Sequence, residues 1–84
     1  MYKLVIAPRA KKELKAIAKL QHRQAIITAI EELKDDPYAG KPLLRELTGK
    51  YTYRVGAFRI IYTINPQNKT VNLLTAGHRS HIYN

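Results

Sequence analysis

The chain of 84 residues contains no cysteine, which rules out disulfides and thiolate metal sites and suits a reducing cytoplasm. Long hydrophobic runs are missing too. The apolar stretch of "MYKLVIAP" at the amino end is too short for a signal-peptide core or a membrane span. We therefore expect a cytoplasmic protein with no membrane partner. Repeats, linkers and low-complexity segments are absent, so residues 1–84 read as one domain, small but able to fold without staples. Acid is the most unevenly distributed of the scarce residues. All six carboxylates (Glu13, Glu31, Glu32, Asp35, Asp36, Glu46) precede residue 47. Two-carboxylate catalysis and carboxylate-held metals are thereby excluded from the second half, and no metal or cofactor is expected there.

Positive charge is what the chain has in excess. Fifteen Lys and Arg against six acids give a net charge of +9. That balance favours a polyanionic partner: nucleic acid first, an acidic protein second, an anionic membrane a distant third. Residues 47–84 keep Lys50, Arg54, Arg59, Lys69 and Arg79 with nothing to neutralise them. Such a stretch repels itself, and a bound polyanion relieves the repulsion.

Hydrophobic periodicity supplies the architecture. Residues 2–7 read as a first strand, and Pro8 suits the first turn of a helix. Residues 11–20 carry Leu14, Ile17 and Ala18 at amphipathic spacing. A second helix runs from residue 21 or 22 to 34, with Ile26, Ile27, Ile30 and Leu33 on one side, and "DDPYAGKP" ends it. The outer face of this helical hairpin holds Lys11, Lys12, Lys15, Lys19 and Arg23 as solvated cations, and His22 at the junction reads as a surface residue. Residues 51–55 and 58–64 form two strands around Gly56 and Ala57, a two-residue type II′ loop. After the "NPQN" turn, residues 69–77 make a last strand. The predicted class is α+β: an N-terminal strand, a helical hairpin and a three-stranded antiparallel meander, both helices on one face of a mostly antiparallel sheet.

The loop sets the register. Val55 then pairs with Phe58, Arg54 with Arg59, Tyr53 with Ile60 and Tyr51 with Tyr62. Alternation sends Tyr51, Tyr53, Val55, Phe58, Ile60, Tyr62 and Ile64 to the helix-covered face, and Lys50, Thr52, Arg54, Arg59 and Ile61 to the other. Like charges directly opposite cost roughly 0.2–1 kcal/mol. Folding alone does not select Arg54 across from Arg59, so we expect an anion between them.

The ending "GHRSHIYN" admits three readings. It is a basic tail, or a weak metal site built on His78 and His81, or a strand extension carrying Arg79 and Tyr83 to the edge of the basic face.

Taken together, "PYAGKPLLRELTGKYTYRVGAFRIIYTI" and "GHRSHIY" resemble the RelE/ParE family of toxins from type II toxin–antitoxin modules. The resemblance extends over nearly the whole chain and implies a RelE-like fold. It also implies one of two activities. The first is ribosome-dependent, metal-independent cleavage of mRNA, an endonuclease reaction that inhibits translation. The alternative is non-enzymatic inhibition of DNA gyrase, as in ParE-like members. A plain nucleic-acid-binding module is disfavoured, because no aromatic platform or recognition helix stands out.

For the nuclease, the resemblance places Arg54 and Arg59 on the mRNA backbone, Arg79 at the leaving group and Tyr83 against a base. Lys50, Thr52 and His81 are the accompanying RNA contacts. This chain departs from its relatives at two places: Thr52 stands where the best-known nuclease has lysine, and Lys41 where a relative with a Glu–His pair has its glutamate. The implied partners are mRNA in the ribosomal A site, the ribosome, and a cognate antitoxin that is acidic and partly disordered when free. RNA brings its own nucleophile, the 2′-hydroxyl, so the protein must align the attack, stabilise charge on the phosphorane and protonate the 5′-oxygen. Guanidinium forks suit the second task. His78 and Arg79 are both candidates for the third.

Overall fold

A computed structural model describes residues 1–78; Arg79, His81 and Tyr83 lie outside the described residues. The first strand, β1 (Lys3–Ile6), leads through Ala7 into α1 (Pro8–Lys15), with Pro8 at the start of the helix, where its missing N–H costs nothing. The helix is shorter than the predicted 11–20. It closes at Ala16, whose N–H reaches the carbonyls of Lys12 and Glu13 at 3.1 and 3.2 Å. Four residues later α2 (Leu20–Asp35) begins, and a 3-10 turn, Pro37–Ala39, follows it.

Arg23 does not behave as the solvated cation predicted. Its guanidinium donates to the carbonyls of Ile17 at 2.8 Å and Lys15 at 3.5 Å. A break between two helices leaves carbonyls without intrahelical donors, and this side chain caps them. Ile27 departs from expectation as well: it is 50 % exposed while Ile26, Ile30 and Leu33 are buried. Ile26, Ile30 and Leu33 follow i, i+4, i+7 spacing, and one residue's turn carries Ile27 off that stripe.

The strands β2 (Lys41–Pro42), β3 (Lys50–Val55), β4 (Phe58–Asn65) and β5 (Thr70–His78) join β1 in one sheet of order β1-β5-β4-β3-β2. Among the described residues only β1 and β5 run parallel; the other neighbours are antiparallel. The meander and the helix-covered face are as predicted, whereas the two-residue β2 is an addition that periodicity cannot reveal. Ile26, Ala29, Ile30 and Leu33 of α2 pack with Ile60, Tyr62, Val71, Leu73 and Ala76 of the sheet. Burial of these side chains is the main driving force for the two-layer arrangement.

Two details shape the β5 side of the sheet. The β4–β5 ladder shifts register between Ile61, opposite Thr75, and Tyr62, opposite Leu73, leaving Leu74 as an extra residue. Nearby, Glu13 of α1 accepts hydrogen bonds from the Thr75 hydroxyl at 2.6 Å and from the Ala76 N–H at 3.2 Å. That carboxylate fastens α1 to the far end of β5. Among the described residues no helix is long and apolar enough to cross a membrane.

Candidate functional site

The hairpin register is the one the loop residues predict. Val55 faces Phe58, Arg54 faces Arg59, Tyr53 faces Ile60 and Tyr51 faces Tyr62. Gly56 has φ +58, and Ala57 is not among the positive-φ residues, as a type II′ loop requires. Arg54 is exposed and Arg59 half-buried. Residues directly opposite on antiparallel strands share a face, so both guanidinium groups leave the sheet on the side away from the core cluster.

A second row lies beside this pair. Lys41 of β2 faces Thr52 of β3, which faces Ile61 of β4. Thr52 and Arg54 are two apart on one strand, so Lys41 and Thr52 share the arginine face. A pocket of about 320 Å³ opens there, lined by Gly40, Lys41, Thr52, Arg54 and Arg59 together with Ala39 and Tyr53. The Thr52 hydroxyl is buried in its wall and finds no hydrogen-bond partner among the described residues. Lys50, opposite Thr63, stands two residues before Thr52 on the same face. It is not among the residues lining the pocket.

Tyr62 holds the segment before β2 from the core side. Its buried hydroxyl donates to the Pro37 carbonyl at 2.7 Å and accepts the Gly40 N–H at 3.1 Å. Burial pushes this phenol up to about 12. The Tyr51 ring stacks on it with centroids 5.6 Å apart. Tyr53 donates to the Glu32 carboxylate at 2.9 Å, and that hydrogen bond is the first cause of its raised pKa.

His78 is not brought to this pocket. It pairs with Phe58 at the end of β5, and the two rings meet edge-on at 5.8 Å. It therefore shares the core-side face with Phe58. Gly77, the neighbour that pairs with Arg59, also lines the pocket on the His78 side, and a methyl group on it would meet the Glu13 carboxylate. His78 lines a different, largely apolar pocket of about 400 Å³ with Ile17, Ala76, Glu13 and His22. His22 is exposed, as predicted, yet its ring lies 5.1 Å from Phe58. Arg79, His81 and Tyr83 fall outside the described residues, so three of the predicted site residues have no place in this geometry. Among the described residues, no three His, Cys, Asp or Glu side chains gather as a metal site would need.

The chain resembles known toxins in both sequence and structure. The family model described as ParE toxin of type II toxin–antitoxin system, parDE, matches residues 4–83. Toxin RelG of Mycobacterium tuberculosis is 41% identical over 56 residues, a match that covers 66% of this chain and 64% of that protein, just under two thirds of its length. In the crystal structure of the RelBE2 toxin–antitoxin complex from Mycobacterium tuberculosis, one chain superposes with a TM-score of 0.84 at 31% identity, over 93% of this chain and 98% of that one. The isolated Escherichia coli RelE toxin shares the fold, with a TM-score of 0.80 at 22% identity over 99% and 92% of the two chains. Since the family match runs almost from end to end of the sequence, the chain belongs to the ParE toxin family of type II toxin–antitoxin systems, within the RelE/ParE superfamily.

Proposed function

We propose that this toxin is a ribosome-dependent mRNA endonuclease whose site is the arginine face of the sheet. The observation that supports it is the Arg54–Arg59 pair, held opposite each other at a pocket whose wall contains Thr52, its hydroxyl buried and without a hydrogen-bond partner among the described residues. Two opposed guanidinium groups are a cost in the free protein and an asset around a phosphate. In this reading the 2′-hydroxyl of the mRNA gives its proton to water and attacks the adjacent phosphorus, a 2′,3′-cyclic phosphate forms as the P–O5′ bond breaks, and the 5′-oxygen leaves with a proton. Arg54 and Arg59 hold the non-bridging oxygens as charge builds on them. Arg79 is the donor to the leaving oxygen, since His78 lies in the other pocket, on the opposite face from the pair. Tyr83 stacks on a base. Among the described residues the site offers no strong base, so catalysis depends on the ribosome to hold the mRNA in line.

The same chain binds a cognate antitoxin. Related toxins crystallise in toxin–antitoxin complexes, and a charge of +9 favours an acidic segment that folds as it binds. One observation favours the second reading, a gyrase inhibitor: the matching family carries the ParE name. Translating a defined mRNA with added protein and mapping the cuts against the A-site codon tests the proposal. A supercoiling assay with gyrase runs beside it. Cuts within the A site with gyrase unaffected are expected; blocked supercoiling without cleavage overturns the nuclease.

A further inference from the structure

The predicted RNA contacts leave one cation of the pocket unassigned. Lys41 sits on β2, the two-residue edge strand, directly opposite Thr52. It is exposed and lines the pocket with Arg54 and Arg59. No ion pair involving Lys41 is found among the described residues. Its placement is tightly specified. Gly40 immediately before it is clamped by the Tyr62 hydroxyl, and the Leu43 N–H immediately after Pro42 bonds the Lys50 carbonyl at 2.8 Å. A two-residue strand anchored at both ends delivers a single side chain to the pocket: Pro42, across from Tyr51, belongs to the other face.

We propose that Lys41 is a phosphate-binding residue of this pocket, its ammonium donating to a non-bridging oxygen of the RNA strand from the side opposite Arg59. The inference rests on the nuclease reading for its substrate class, single-stranded RNA. Across β3 the pocket is then closed by three cations from three strands: Lys41 on β2, Arg54 on β3 and Arg59 on β4. The Thr52 hydroxyl lies in the row between Lys41 and Ile61. Being neutral and buried in the wall, it cannot balance the phosphate charge. The edge strand thus adds a positive charge directly across the ladder from the neutral Thr52. An ammonium has three donors and no acceptor, so the role is charge stabilisation and not proton abstraction.

The test compares Lys41→Ala and Lys41→Arg with the wild-type chain, using Lys12→Ala on the outer face of α1 as a charge-matched control. Two readouts are taken. The first is binding of a twelve-nucleotide single-stranded RNA to the isolated protein across a salt series, where each lost phosphate contact lowers the slope of log K against log salt by about 0.7. The second is the rate of A-site cleavage on ribosomes, where losing a charged hydrogen bond costs roughly ten- to a hundredfold. Lys41→Ala is expected to lose both, Lys41→Arg to keep most of each, and Lys12→Ala to keep the rate. Matching thermal melts establish that the edge-strand variants are folded. If the wild type cuts and Lys41→Ala matches Lys12→Ala in slope and rate, the Lys41 role is overturned while the nuclease stands. If the wild type binds RNA with a Lys41-dependent slope but never cuts, the nuclease falls and the phosphate site stands. Absence of salt-dependent RNA binding by the wild type also overturns the proposal.

Discussion

Tyr62 and Gly40 meet at the boundary between core and pocket: the phenol oxygen accepts the Gly40 N–H at 3.1 Å. The same hydroxyl donates to the Pro37 carbonyl, so one side chain satisfies two backbone groups of the segment leading to β2. Its pKa is raised from an ordinary 10 to about 12, chiefly by burial. The native state therefore holds this proton more tightly than the unfolded chain does. The corresponding stability is complete below pH 10 and is lost as pH rises toward 12. A shift of that size corresponds to about 2–3 kcal/mol. Tyr62→Phe should cost roughly 1–3 kcal/mol at pH 8, since two buried backbone groups lose their partner. It should also show a shallower loss of stability than the wild type between pH 10 and 12. Urea unfolding at several alkaline pH values measures both.

Gly40→Ala tests the same junction from the other side. Gly40 has φ −75, a conformation open to any residue, so the constraint is space and not backbone freedom. A methyl group there would collide with the Tyr62 hydroxyl and come within 2.8 Å of the Thr52 carbonyl. Overpacking of this kind costs about 1–3 kcal/mol. In a domain of this size we expect a Tm lower by roughly 5–20 °C. An unchanged Tm would mean that β2 moves aside freely.

Arg54→Ala removes an exposed guanidinium that faces a like charge. The variant should fold at least as stably as the wild type, gaining up to about 1 kcal/mol. Cleavage on ribosomes should nevertheless drop by about 10²–10³, the usual effect of losing one donor to a developing oxyanion. Arg59→Ala should lose activity to a similar extent. A double variant that cuts at the wild-type rate would move the site off this face.

Tyr83 is assigned from the sequence, and its role is separable by chemistry. Stacking on a base needs the ring and contributes roughly 1–3 kcal/mol. Tyr83→Phe is therefore expected to keep most A-site cleavage, while Tyr83→Ala loses one to two orders of magnitude. Equal losses in both would assign the function to the hydroxyl, and no loss in either would leave the residue without a part in the reaction.

What the sequence determined by itself is everything that depends on neighbours along the chain. Gly56 and Ala57 set the loop, the loop set the β3–β4 register, and the register put Arg54 opposite Arg59 and Tyr62 inward. Alternation is strictly local, so no tertiary information was needed. The helix stripe of Ile26, Ile30 and Leu33 was legible for the same reason. Tertiary structure decided the rest. A two-residue strand has too few residues to show a period, so β2 exists only because Lys41 and Pro42 pair with an already formed β3. The parallel β1–β5 pairing joins strands far apart in sequence, and Arg23 turned its guanidinium inward because a helix break offered it carbonyls. His78 lies close to Arg59 in the ladder but on the other face, because each step along a strand reverses the side chain. Which cations share a pocket is a matter of which strands are neighbours and which way each residue points. Hydrophobic burial settles that three-dimensional arrangement after local preferences have been spent.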